Sequence, residues 1–321
     1  MPKKILLVTN EEDPHADIVI KLLGSKVFRL NTESILKSFS ISALLDSTNK
    51  ERVYLENSLS QKLFLDQISS LYYRRPEKPA FKKEFSLSDI QTGEAWGALF
   101  HFLHSLNHVP WMGHPFFDKI NSSRILQLIT AKKYGFKIPD TLISRKLDEI
   151  HDFLKKHNKV AIKPIHERGK TVNGFWTPYF TEVRFAADIL SVGDDILTNS
   201  YNYMQEYIEK KREWRVTVVG DKVFPCVIES QKNKKAMFDW RMEDVDNLEH
   251  YYEPLPENIV NAILNYMKKL NLNFGAIDLI ETTSGEWCFL ECNPNGQWLW
   301  IELKTKMKIS EAIAKWHQQY L

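Results

Sequence analysis

The sequence predicts a mixed α/β fold of two or three lobes packed into one enzyme-sized unit. At 321 residues the chain is too long for the usual single core and too short for several. Its opening reads strand, helix, strand, which argues for a small parallel sheet with helices on its faces. Near its end, residues 273–298 read NFGAIDLIETTSGEWCFLECNPNGQW. These give strands at 275–281 and 287–291, joined by Thr282-Thr283-Ser284-Gly285, small polar residues and a glycine suited to a tight reversal.

The totals exclude several classes. With 43 basic and 41 acidic residues the formal charge is +2, so neither nucleic acid nor membrane is expected as the main partner. Cys226, Cys288 and Cys292 lie in or beside apolar strands, without zinc-finger spacing or a nearby histidine pair. They are expected as reduced core thiols of a cytoplasmic protein. No segment has the apolar length of a signal-peptide core or a membrane span.

In chain order, KKILLVT at 3–9 is a strand, 16–23 has helical spacing before Gly24, and 27–30 is a second strand. Further strands are expected at 40–45, 52–55 and 70–73. The last ends in Arg74-Arg75-Pro76, which reads as a solvated strand end. No Gly-x-Gly-x-x-Gly follows the first strand, so a dinucleotide fold has no support. A helix over 88–107, with Ser88 as its cap, and a turn over 109–115 close this part of the chain. Asn121 is expected to cap a helix that carries Ile125, Leu128 and Ile129 on one face and ends at Gly135.

A helix over 146–157 precedes the strand KVAIKP at 159–164, where Lys163 interrupts an apolar run. A buried lysine needs an anion, because its ammonium cannot shed charge cheaply. The glycine-bearing stretch 166–174 and an aromatic strand at 175–180 come next. YMQEYI at 203–208, EKKREWR at 209–215 and a strand at 216–219 follow. Glu213 and Arg215 are two apart and so share a strand face, side by side. A strand at 223–230, a basic loop at 231–241 ending in D-W-R, and helices over 256–270 and 309–320 complete the reading.

Within the apolar hairpin only Asp278, Glu291 and Asn293 can take a hard cation. Either these groups point to water, or they form an oxygen-only site of the kind that suits Mg²⁺. No Gly-x-Ser-x-Gly and no Cys/His pair offers a protein nucleophile. Phosphoryl transfer, which needs positioning and charge neutralisation instead, fits that inventory.

Asp278, twelve intervening residues and then Glu291-x-Asn293-Pro294 resemble the metal-binding signature of the ATP-grasp ligases. The fuller E-C-N-P-N-G-Q-W, with Y-Y-R-R-P and D-W-R upstream, resembles one branch of them, the graspetide (microviridin-type) peptide macrocyclases. The resemblance runs from about 70 to 300. It implies an N-terminal pre-ATP-grasp domain over 1–115 and an ATP-grasp domain over 116–321. The latter has a central lobe at 116–205 and a C-terminal lobe at 206–321, with ATP held between two antiparallel sheets.

The resemblance also implies roles. Lys163, and Arg124 where the family usually has lysine, would meet nucleotide phosphate, and Arg74 and Arg75 would face the active cleft. Gln205, Glu206, Tyr207 and Ile208 would form the adenine hinge, Glu213 would bind ribose, and Arg215 would neutralise the transferred phosphate. Asp278, Glu291 and Asn293 would hold one or two Mg²⁺ ions beside ATP, Arg241 would meet an acidic substrate side chain, and 166–174 would be a flap. The implied activity joins Asp or Glu side chains of a ribosomal precursor peptide to Thr or Ser hydroxyls as esters, in a homodimer that recognises a leader segment. An amide-forming macrocyclase, an amino-acid ligase of the ribosomal-protein-modifying type and a non-catalytic ATP-binding module are the alternatives.

Overall fold

The computed structural model describes residues 2–48, 51–79, 88–165, 169–172 and 175–321. The first apolar run forms strand Lys4–Thr9, in which Ile5, Leu6, Leu7 and Val8 are fully buried. Parallel neighbours Val27–Asn31 and Ile68–Tyr73 flank it, and Trp111–Met112 adds a parallel edge. A strand in the middle of a parallel sheet is covered on both faces, which is why this one reads as continuously apolar. The helix Pro14–Leu23 starts where the Asp13 carboxylate accepts from the His15 amide, with Pro14 at the first helical position. A separate antiparallel meander joins Phe39–Leu45, Glu51–Asn57 and Lys62–Phe64.

Two further antiparallel sheets follow. The central one is ordered Glu182–Phe185, Lys159–Ile162, Asn202–Glu206, Thr141–Ser144. The C-terminal one is ordered His250–Tyr252, Lys222–Ile228, Lys210–Val219, Phe274–Thr282, Trp287–Asn293. The chain crosses from one to the other through 207–209. A small hairpin, Gly169–Val172 with Phe175–Pro178, stands apart from both. The rest of the flap expected at 166–174, residues 166–168 and 173–174, lies outside the described residues.

Several expectations need correction. The strand expected at 216–219 begins at Lys210, because pairing with Phe274–Thr282 from Lys210 onward holds its charged first half in the sheet. The turn expected over 109–115 contains the edge strand Trp111–Met112. After it come a short helix, Pro115–Asn121, and then the helix Arg124–Lys133, whose cap is Ser123, its hydroxyl accepting from the Leu126 amide; Asn121 instead donates to the Leu270 carbonyl at 2.8 Å. Ile125 and Ile129 are exposed, and the buried face carries Gln127, Leu128 and Ala131. The helix from Ser88 runs to His104, and the cap role of Ser88 falls on a side chain outside the described residues.

One core binds the C-terminal sheet to the helices Arg124–Lys133 and Glu257–Lys269 through Leu128, Trp214, Ile263, Tyr266 and Phe289. A second joins the chain's two ends: Ile5, Ala16 and Val19 pack with Trp298, Ile301, Ile309 and Ile313. Ser70 Oγ meets His317 Nδ1 at 2.8 Å across that contact. Among the described residues no helix is long and apolar enough to cross a membrane.

Candidate active site

The site is built on the hairpin Phe274–Thr282 and Trp287–Asn293. Counting back from its turn, Glu281 faces Trp287, Ile280 faces Cys288 and Leu279 faces Phe289. Unbroken pairing would set Asp278 against Leu290. A β-bulge leaves Leu290 without an opposite residue, so Asp278 faces Glu291 and Ala276 faces Asn293. The bulge therefore brings two carboxylates together. Both are part-buried in an apolar ladder, where unpaired charge is costly.

Guanidinium groups answer that cost. Arg215 lies opposite Asp278 on the neighbouring strand, and its Nη1 donates to both carboxylate oxygens at 2.9 and 3.0 Å. Arg124, the first residue of its helix, pairs with Glu291. Burial raises the Asp278 carboxyl above the ordinary range, against the pull of Arg215. Burial pushes Glu291 the same way, but Arg124, Arg241, Lys163 and Arg215 together outweigh it and hold Glu291 low. Two near neighbours thus differ in proton affinity, with Asp278 the one that keeps a proton longer. Arg215 Nε is buried and unpartnered.

Lys163 follows the strand Lys159–Ile162. Within the chain its ammonium donates to the side-chain oxygen of Gln205 at 2.6 Å. Burial lowers its ammonium pKa. Gln205 Nε2 in turn donates to Thr141 Oγ1 at 3.0 Å. Glu206, Tyr207 and Ile208 begin the crossing between the two sheets. Glu206 bonds the Asp140 amide at 3.2 Å, Tyr207 lies under the Lys159 ammonium at 3.7 Å, and Ile208 is buried with Ile280 and Cys288. Burial pushes the Tyr207 phenol up to about 12.

Glu213 does not pair with Arg215. It accepts from Lys210 at 2.8 Å and from Ser230 at 2.7 Å, because Asp278, directly across the ladder, engages Arg215. Arg241 forks onto Asp239 at 2.8 and 2.6 Å, and its charge reaches Glu291 and Asp278. Asn293 Oδ1 accepts from the Asn295 amide at 3.0 Å. The structure therefore gathers Asp278, Glu291, Arg215 and Arg124 in direct contact, with Lys163 and Arg241 in electrostatic reach. Two adjoining cavities of about 280 and 320 Å³ lie elsewhere, around Trp111 and His114.

Sequence reasoning missed Gln127. This residue is 1% exposed. Its Nε2 donates to the Cys292 carbonyl at 2.7 Å, and its Oε1 accepts from the Cys292 amide at 2.9 Å. It thereby clamps the backbone between Glu291 and Asn293. A polar residue beside the apolar Leu128 on a helix was the available signal.

Residues 127–286 match the family described as the ATP-grasp domain of prokaryotic glutathione synthetase. The Chryseobacterium gregarium RiPP-associated ATP-grasp ligase, solved with ADP and a leader and core peptide, superposes with a TM-score of 0.90. The identity is 29%, over 99% of this chain and 97% of that one. The chain has the fold of an ATP-grasp ligase. Macrocyclase MdnC of Microcystis aeruginosa MRC, bound with precursor peptide MdnA, matches this ligase at TM-score 0.82 and 24% identity over 98% and 99% of the two chains. Macrocyclase MdnB of the same organism matches at 0.77 and 26%, again over 98% and 99%. The likeness to the graspetide branch, read from E-C-N-P-N-G-Q-W, extends over the whole ligase. No curated protein sequence matches it.

Proposed function

We propose that this ligase is a peptide macrocyclase. ATP would phosphorylate Asp or Glu side chains of a ribosomal precursor to acyl phosphates, and Thr or Ser hydroxyls would displace phosphate to give side-chain esters, ADP and phosphate. The observation that carries this reading is the whole-length likeness to a ligase solved with ADP, leader and core peptide. On this reading residues 1–115 form a pre-ATP-grasp domain and 116–321 the ATP-grasp domain, its lobes parting at the 205–206 step. A homodimer that recognises a leader segment, in the cytoplasm, completes the proposal; the free buried thiols Cys226, Cys288 and Cys292 are consistent with a reducing compartment.

The donor set fits Mg²⁺. Asp278, Glu291 and Asn293 offer oxygen only, and the two carboxylates face each other across the ladder. Bound there, one or two ions would supply Lewis-acid stabilisation of phosphoryl oxygens. The remaining work falls to the chain's own groups. Lys163, Arg124 and Arg215 neutralise phosphate charge. Gln205, Glu206, Tyr207 and Ile208 receive adenine, Glu213 receives ribose, and Arg241 orients the acidic side chain to be activated.

The test is mass spectrometry of a candidate precursor incubated with the ligase, ATP and Mg²⁺. Loss of one water per bond, matched by ADP release and reversed by mild alkali, is the expected result. Alkali-stable loss of water would replace the ester with an amide. Intact precursor, or a gain of amino-acid mass, would overturn macrocyclisation.

A further inference from the structure

Arg74 ends the strand Ile68–Tyr73, and the sequence left it either in solvent or in a cleft. It is in neither. The side chain is 1% exposed, while Arg75 beside it is exposed. Its amide donates to the Val8 carbonyl at 2.9 Å, which fixes its backbone to the parallel sheet. From there the guanidinium reaches Asn295 in the loop that follows the hairpin. Nη1 donates to the Asn295 carbonyl at 3.0 Å and also to its Oδ1, and Asn295 Nδ2 donates back to the Arg74 carbonyl. The two residues grip each other at both ends.

This is a poor arrangement for stability alone. The nearest carboxylate, Asp13, is 3.9 Å away, and both Nε and Nη2 of Arg74 are buried without hydrogen-bond partners. A buried cation held by a neutral amide is weak evidence of stabilisation, since an apolar residue of similar volume avoids the desolvation. What the contact does fix is Asn295, whose amide is donated to Asn293 Oδ1 at 3.0 Å. The loop is trapped from its other side too. A Cβ at Gly296 would come within 2.4 Å of Ala276 Cβ and 2.8 Å of Arg215 Nη2.

We propose that Arg74 is a positioning residue for the metal site: through Asn295 it orients the Asn293 amide oxygen toward Asp278 and Glu291. The inference rests on the metal assignment made above. Partners of this outer kind set the direction of a ligand's lone pair, and their loss typically weakens metal binding about 10- to 100-fold.

The experiment measures Mn²⁺ affinity by electron paramagnetic resonance, with the full chain and a nonhydrolysable ATP analogue. Asn295→Ala and Arg74→Met are each expected to weaken Mn²⁺ binding by about tenfold and to raise the Mg²⁺ concentration for half-maximal turnover more than they lower kcat. Binding of the analogue without divalent metal is expected to stay unchanged. The double variant is expected to be no weaker than the worse single one, because both act through one chain of contacts. Unchanged Mn²⁺ affinity in folded Asn295→Ala, or additive losses in the double variant, would overturn the proposal; if Arg74→Met does not fold, Asn295→Ala alone decides. An Asp278→Asn control separates the two levels. If that variant binds Mn²⁺ like the wild type, the metal assignment itself fails; if it loses Mn²⁺ while Asn295→Ala does not, only the Arg74 inference fails.

Discussion

Replacing Gln127 with methionine keeps about the same volume in a site with no room to relax and removes every polar contact the side chain makes. The amide of Cys292, its carbonyl and the carbonyl of Asn121 lose their partner together. An orphaned buried polar group costs about 1–3 kcal/mol. Taking the low end for each of the three gives a loss of roughly 3 kcal/mol in stability. At about 2 °C per kcal/mol, suited to a chain of this size, the melting midpoint should fall by roughly 6 °C. Differential scanning calorimetry measures this directly. Because the clamped backbone lies between Glu291 and Asn293, turnover at limiting Mg²⁺ should fall as well. A variant that melts within about 1 °C of the parent, with an unchanged Mg²⁺ requirement, would refute the view that Gln127 braces the site.

Other substitutions probe different parts. Asp278→Asn or Glu291→Gln should abolish ATP-dependent turnover by removing cation-binding charge; wild-type rates in either would refute the metal assignment. Arg241→Ala should raise the KM for peptide with ATP affinity near normal, measured by initial rates and nucleotide titration, and lost ATP affinity would show that the residue serves the nucleotide instead. Burial holds both His15 and His317 down to about 3 from 6.5, with Arg74 and Arg75 adding to the effect at His15. Between those values the unfolded chain binds more protons than the folded one. Stability is therefore full above pH 6.5 and falls as pH drops toward 3, by up to about 1.4 kcal/mol per pH unit for each histidine. His317→Asn should flatten the fall of the melting midpoint over that window, and an unchanged slope would contradict the linkage.

What could be read in advance depended on how local its cause was. The run KILLVT declares a central parallel strand because each of its neighbours in space demands an apolar face. The hairpin and its three oxygen-bearing residues were equally plain, since turn chemistry and charge in an apolar run are properties of adjacent residues. The bulge at Leu290 was not: its signal was that Asp278 and Glu291 sit one step out of register about Ser284, and that step has meaning only once both strands are paired. Arg74 looked like surface because its partner is 221 residues away. The helix Arg124–Lys133 misled for a related reason. Apolar spacing pointed to Ile125 and Ile129, but a hydrogen-bonded glutamine decided which side faces inward.

The packing of Ile309 and Ile313 against Ala16 and Val19 sets an order on synthesis. A ribosome delivers the opening sheet long before the helix that seals it, so one side of that sheet must wait with its leucines and isoleucines uncovered while most of the polypeptide is still being made. Nascent chains halted before Ile309 should therefore engage chaperones that bind exposed apolar segments, and release from them should track the emergence of the final helix.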